Sequence, residues 1–248
     1  MVAILLAGLL IGMTAGCSNF SAAARNAEGV RLYQQARYHE ALRHFQEATY
    51  AEPNNPDGYY NIAATHHRLG VTENRPSDLH QAEKYYNQCL DIWDRLDQEH
   101  PGMQTTACAD CYRGLAVLLV EEGRHDEAFR LLEGWVEREP TSADAKIELA
   151  RLFDEFNDRR AAKQNLVEAL AIDSNNPRAL AALGKIREET GEYAQALEDY
   201  QRSYAQDRFQ PQLANRIAAL RAQLNPALSV NSPPAGTRLA DQRPKSLQ

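Results

Sequence analysis

The feature that most constrains this chain is a block of residues that occurs several times along it. The block RYHEALRHFQEA at 37–48 recurs in outline as RHDEAFRLL at 124–132 and as EYAQALEDY at 192–200. In each copy small and large apolar residues lie three or four positions apart, which places them on one face of a helix. A helix face that recurs in this way predicts several stacked helix pairs rather than one undivided core.

The spacing between copies is regular over the second half of the chain. Ala128, Ala162 and Ala196 occupy the same place in successive copies and lie 34 residues apart. This period and the accompanying pattern resemble the tetratricopeptide repeat (TPR) over roughly residues 25 to 210. The resemblance implies an all-α fold, a right-handed superhelical solenoid of about five helix hairpins with a C-terminal capping helix.

The repeat pattern also predicts how the chain is divided. We expect hairpins at about 25–55, 56–100, 105–140, 143–176 and 177–210, and a capping helix at 211–224. The intervals from Ala41 to Ala82 and from Ala82 to Ala128 exceed the period, so insertions interrupt the register in the second hairpin. Residues 225–248 turn to Pro, Ser and Arg without periodicity, which predicts a disordered tail.

The N-terminus has its own signature. Residues 1–16 contain no charged side chain and are apolar, but are shorter than the roughly 20 residues that a spanning helix needs. The end of this segment and the next residue, Thr14-Ala15-Gly16-Cys17, resemble the lipobox of bacterial lipoproteins. That resemblance implies a signal peptide at 1–16, an acylated Cys17 and a linker at 17–24.

By the sorting rule of the lipoproteins, Ser18 after the cysteine implies an anchor in the outer membrane, facing the periplasm of a bacterial envelope. Two departures from the pattern keep other interpretations open. Thr14 stands where leucine is usual, and no Lys or Arg precedes the apolar stretch. An ordinary cleaved signal and an uncleaved apolar N-terminus are the alternatives.

Charge and motifs exclude several classes of function. The net charge is -7 and no run of Lys or Arg occurs, so a surface that follows nucleic-acid phosphates has no electrostatic support. The sequence contains no nucleophile motif, phosphate-binding loop or dinucleotide fingerprint. We therefore expect a protein that is not an enzyme, needs no cofactor and does not bind nucleic acid.

The TPR resemblance also implies where a partner would bind. In that family the first helix of each hairpin lines a concave groove, and the residues opposite its packed side face the partner. The positions that fit are Tyr60, Asn61, Ala64, His67, Arg113, Val117, Ile147, Arg151 and Lys185.

Cysteine supplies the sharpest chemical signal. Cys108 and Cys111 form a CxxC pair at a predicted helix start, where a helix dipole can lower a thiol pKa and an oxidising compartment can close a disulfide. Three interpretations remain open: a structural disulfide or inert pair, no role, and a redox or metal-binding pair. Cys89 lies in an apolar stripe and is expected to be a buried thiol.

His66 and His67 point about 100 degrees apart on a helix, so they do not favour one shared zinc site.

Together these patterns predict a non-catalytic scaffold for protein–protein interaction. It would be a membrane-anchored TPR lipoprotein that holds a peptide or protein segment in its groove, within envelope, pilus, secretion or cell-wall assembly. One rival is a thiol redox or metal-binding module built on Cys108 and Cys111. Another interpretation makes the solenoid part of a homo-oligomer.

Overall fold

A computed structural model describes residues 21–99 and 106–225, with side chains described from Ala109 onward in the second range. The predicted signal peptide, Cys17 and most of the predicted tail lie outside these residues. All regular secondary structure in the described ranges is α-helical, which confirms the predicted fold class. Among residues 21–99 and 106–225, none of the helices combines the length and the hydrophobicity that a membrane span requires.

The helices follow one another with short connections. Residues 21–34 form α1, and the others are α2 (Tyr38–Ala51), α3 (Pro56–Thr72), α4 (Pro76–Glu99), α5 (Thr106–Glu121), α6 (His125–Arg138), α7 (Ala143–Glu155), α8 (Arg159–Ile172), α9 (Pro177–Glu189), α10 (Tyr193–Gln206) and α11 (Pro211–Leu224). They form two compact units that divide after Leu152.

In each unit, helices that are neighbours in sequence pack against each other. In the first unit α2 packs on α3, α3 on α4, α4 on α5 and α5 on α6, and α3 also contacts α5. In the second unit α9 packs between α8 and α10, and α11 covers α10. The apolar face of α11 buries Leu213, Ile217 and Leu220 against Tyr200. This order is that of consecutive helix hairpins.

The packed face of a hairpin depends on a small residue opposite a large one. A Cβ on Gly29 would lie 2.5 Å from the ring of Phe45, and a Cβ on Gly184 would lie 2.7 Å from the ring of Tyr200. Both pairs are 16 residues apart. At the same spacing in the third hairpin stand Ala116 and Leu132, both fully buried. In these hairpins, therefore, a glycine on the first helix packs against an aromatic ring on the second, and an alanine stands opposite a leucine.

The turn inside each hairpin contains one residue in the left-handed conformation. Gly123 and Gly191 have φ values of 76° and 83°, which cost glycine little. Asn157 and Asn74 take the role in two other turns, with φ values of 63° and 52°. Asparagine tolerates this region better than most residues do. Ala36, with φ 58°, occupies it in the first hairpin at a steric cost.

Three of the turns that follow the second helix of a hairpin share another arrangement. The residue that ends the second helix is acidic, and an amide side chain three positions later donates to it, in the pairs Glu52–Asn55, Asp173–Asn176 and Asp207–Gln210. A proline then begins the next helix. Asn55 and Asn176 also accept hydrogen bonds from backbone N–H groups of that helix, as N-cap residues do.

A disulfide joins α4 to α5 between Cys89 and Cys111, both fully buried. The alternative of a disulfide between Cys108 and Cys111 is therefore wrong, and Cys89 is bonded rather than a thiol. The reason is tertiary. The packing of α5 on α4 turns Cys111 toward the apolar stripe that contains Cys89. The bond leaves Cys108 without the adjacent thiol on which a CxxC redox centre depends.

The small–large pairing predicts a compensating double substitution. Gly29→Ala should lower the free energy of unfolding by about 1–3 kcal/mol, because the new methyl group overpacks the Phe45 ring. Adding Phe45→Leu, which recreates the alanine–leucine pair of the third hairpin, should recover part of that loss. Urea denaturation of the four proteins of the cycle measures the coupling.

Gly134→Ala provides the control, because a Cβ at this helical position meets nothing within 4 Å. It should stabilise the protein by up to about 1 kcal/mol through helix propensity. Strictly additive effects of Gly29→Ala and Phe45→Leu would contradict the proposed size pairing.

The disulfide predicts a specific stability loss. Cys89→Ala combined with Cys111→Ala should lower the free energy of unfolding by about 3 kcal/mol, because the unfolded chain loses a cross-link. Cys108→Ala should have little effect and is the matched control. Denaturation curves test this, and mass spectrometry of unreduced peptides should recover Cys89 linked to Cys111. A peptide linking Cys108 to Cys111 instead would contradict the structure.

Candidate functional site

Eight of the nine predicted partner-binding residues lie in the first unit. Tyr60, Asn61, Ala64 and His67 are on α3, Arg113 and Val117 are on α5, and Ile147 and Arg151 are on α7. We call the polar surface of α1, α3, α5 and α7 around these residues the first-helix face. Lys185, on α9, belongs to the second unit, where its Nζ donates to Asp154 Oδ2 over 2.7 Å.

The centre of the first-helix face is a charged network that joins α5 to α7. Glu148 is 0% exposed, and its two carboxylate oxygens accept from Arg113 Nε at 2.7 Å and Arg151 Nε at 3.2 Å. Arg113 Nη1 also donates to Asp110 Oδ1 at 2.6 Å. The network therefore unites two predicted residues, Arg113 and Arg151, through a buried carboxylate.

Burial and neighbouring charges have opposite effects on the pKa of Arg113. Desolvation disfavours the guanidinium, but the Glu148 and Asp110 carboxylates outweigh it and hold the pKa of Arg113 above its usual value. Both arginines keep about a third of their side-chain surface exposed, while Glu148 is sealed. Because the buried Glu148 carboxylate holds both guanidinium groups, neither group has much freedom to move. Arg113 therefore presents fixed donors to solvent.

A second set of contacts joins α3 to α1. Asn61 Nδ2 donates to Asn26 Oδ1 over 2.8 Å. The neighbouring Tyr60 is partly buried, with its ring centroid 6.3 Å from that of Tyr86. Burial raises the pKa of Tyr60, and the Asp110 carboxylate raises it further against the opposing effect of Arg113. The phenol therefore stays neutral and offers a hydroxyl donor beside the charged network.

His67 is held between two other helices. Its Nε2 lies 2.8 Å from Glu121 Oε2 on α5, and its Nδ1 lies 3.4 Å from the Tyr86 hydroxyl on α4. The side chain is 13% exposed, so the ring is positioned rather than free.

His66 turns instead toward Asp78 on α4, at 2.7 Å. Residues 21–99 and 106–225 contain no group of three or more His, Cys, Asp or Glu that could hold a metal ion.

One predicted contact residue is misplaced. Ile147 is 5% exposed and lies in the core, so it does not offer an apolar anchor on the surface. Four consecutive residues of α7 are buried, namely Ile147, Glu148, Leu149 and Ala150. Neighbouring structure therefore covers more than one side of this helix. Ala64 and Val117 are partly exposed, as a surface residue of the face should be.

The role of Glu148 and its ion pairs is not among the features predicted from the sequence. The signal available for it was the spacing of opposite charges three positions apart, Asp110 with Arg113 and Glu148 with Arg151. That spacing indicates pairing within one helix. The contact that links the two pairs, from Arg113 to Glu148, spans 35 positions and depends on how α5 and α7 lie together.

Comparison with known families identifies the repeat. Four models, described as tetratricopeptide repeat or TPR repeat, match residues 29–70, 61–134, 119–164 and 147–211. Among curated proteins, the human protein O-mannosyl-transferase TMTC1 is 25% identical over 183 residues, which are 71% of this chain and 18% of that protein. A Drosophila melanogaster homologue of the BBSome complex member BBS4 is 23% identical over 200 residues, or 70% of this chain and 41% of that protein. The chain thus spans less than half the length of these relatives.

Solved structures agree at the level of the fold. TTC0263, a thermophilic TPR protein of Thermus thermophilus, superposes with a TM-score of 0.54 at 22% identity and covers 81% of this chain and 98% of its own. Pseudomonas aeruginosa pilF has a TM-score of 0.51 at 18% identity, with 87% and 95% covered. With the helix hairpins described above, these matches establish that the chain carries tetratricopeptide repeats across residues 29–211.

Proposed function

We propose that the chain is a non-catalytic scaffold that binds a protein or peptide segment on the first-helix face of its first unit. The observation that carries this proposal is a series of polar contacts between different helices on one face. Asn61 donates a hydrogen bond to Asn26, and Arg113 donates one to Glu148. His67 lies within hydrogen-bond distance of Glu121. These contacts fix partly exposed donors and the Tyr60 ring in place, which lowers the entropy lost when a partner binds.

The state of the polar groups favours binding over catalysis. The carboxylate of Glu148 is shared by two guanidinium groups, and His67 is engaged on both ring nitrogens. A catalytic base or nucleophile needs a lone pair that can reach substrate. The face instead offers an aromatic ring and arginine donors, which are frequent anchors of protein interfaces.

We further propose that the scaffold is attached by a lipid on Cys17 to a membrane of the bacterial envelope, where it serves an assembly process. The apolar N-terminal segment and the Thr14-Ala15-Gly16-Cys17 pattern support the anchor. The Cys89–Cys111 disulfide supports an oxidising compartment, since such bonds persist outside the cytosol. It also argues against the rival thiol redox module, because Cys111 is already bonded.

Site-specific crosslinking tests the binding face. A photoreactive phenylalanine analogue at Tyr60 should crosslink a discrete protein in native cells, because Tyr60 lies on the first-helix face. The same analogue at Tyr50 is the matched control, since this tyrosine is 91% exposed on the second helix of a hairpin. Mass spectrometry identifies the product. Equal crosslinking from Tyr50 and Tyr60, or none from Tyr60 in a folded protein, would contradict the proposal.

Membrane fractionation tests the anchor. Cys17→Ala should move the protein from the membrane pellet to the soluble fraction and abolish labelling by a radioactive fatty acid, because the acyl chains supply the membrane affinity. Cys108→Ala should remain in the pellet and is the control. A Cys17→Ala protein that sediments with membranes as the unmodified protein does would refute lipid anchoring at this residue.

A further inference from the structure

A cavity of about 270 Å³ lies at the first turn between hairpins, among α1, α2 and α3. Small residues form much of its wall, namely Ala22, Ala23, Ala27, Ala48 and Gly58. An apolar cavity of about 150 Å³ is large enough to admit benzene, so this one has room for a long aliphatic side chain.

The electrostatic environment of the cavity is negative. Glu52 and Asp57 lie in its lining, and no basic residue accompanies them among the lining residues that the structure describes. Glu52 also ends α2, whose last turn has no basic residue, so the negative end of the helix dipole is not compensated there. A cation in the cavity would be attracted by both carboxylates and by these carbonyl groups.

Asp57 has no ion-pair partner among the residues of the described ranges. Within those ranges its carboxylate is balanced only by the positive end of the α3 dipole, because it lies in the first turn of that helix. Asp57 is an exposed residue, but neighbouring atoms partly desolvate its carboxyl group and raise its pKa, and the Asp110 carboxylate raises that pKa further. A raised carboxyl pKa means that the folded state disfavours the charge, so an arriving cation would relieve a cost.

The turn itself does not require this carboxylate. The acid–amide pair of Glu52 and Asn55 recurs at the turn before α9 as Asp173 and Asn176. The residue after the helix-starting proline is Asp57 in the first turn but Arg178 in the later one. The turn geometry therefore does not depend on a carboxylate at this position.

The cavity adjoins the first-helix face. Asn26 contributes to its lining and also accepts the hydrogen bond from Asn61 on that face. Because Asn26 belongs to both, a segment bound to the face at Asn26 would lie beside the cavity. We propose that the cavity receives a lysine or arginine side chain of the bound segment, with its stem against the alanines and its charge beside Asp57 and Glu52. This inference rests on the proposed function and defines the chemistry of the partner.

Nuclear magnetic resonance of the purified full chain in detergent tests the proposal with a small probe. Nα-acetyl-lysine amide should cause saturable shifts of the Ala27 and Gly58 amide signals. Nα,Nε-diacetyl-lysine amide, which has a similar shape but no charge, should not. Asp57→Asn should weaken the binding of the lysine probe about tenfold, as expected for loss of a charged hydrogen-bond partner.

The variants separate the site from the turn. Asp57→Asn leaves the Glu52–Asn55 pair intact, and adding Glu52→Gln should weaken binding further. Asp173→Asn changes the equivalent acid of the later turn and should bind the probe as the unmodified protein does. Equal shifts from both probes, unchanged binding by Asp57→Asn, or equal weakening by Asp173→Asn would each overturn the assignment.

The result is independent of the crosslinking experiment. If Tyr60 crosslinks a partner but the lysine probe does not shift Gly58, the cavity assignment fails and the binding face stands. If the lysine probe binds as expected but Tyr60 crosslinks nothing, the cationic site stands and the proposed function fails.

Discussion

The close approach of two helices within each hairpin is the constraint on which the rest of the structure depends. A residue with little or no side chain on the first helix lies opposite a large side chain on the second, as Gly29 and Phe45 or Gly184 and Tyr200 illustrate. The same ring could not fit against alanine without displacement, which is why the third hairpin combines Ala116 with leucine. Complementary size, rather than any one residue, is repeated along the chain.

This packing determines which surface remains for function. Because the small–large stripe uses one side of each first helix, the other side can carry polar groups that interact with the next hairpin. Asn26 with Asn61 and Arg113 with Glu148 are such contacts, and each also ties neighbouring hairpins together. Burying the Glu148 carboxylate would be costly alone, but two guanidinium groups offset the cost and become fixed in return. Stability and the geometry of the binding face thus arise from the same contacts.

The sequence was sufficient for the repeat and the helical fold, because periodicity within a helix is a local property. It was insufficient wherever the outcome depended on contacts between helices. Ile147 was assigned to the surface from its position on one helix, but neighbouring structure covers that side. The CxxC spacing makes Cys108 the obvious candidate partner of Cys111, whereas the packing of α4 on α5 brings Cys89 to it. The cavity beside Asp57 has no sequence signature, since its walls come from three helices that local patterns cannot position.

The position of the disulfide has a consequence for the integrity of the chain. Cys89 and Cys111 bracket the whole connection between α4 and α5. A protease that cut the backbone once between them would produce two fragments that stay covalently joined. A single cleavage at this insertion would therefore release neither half of the scaffold as long as the disulfide is intact.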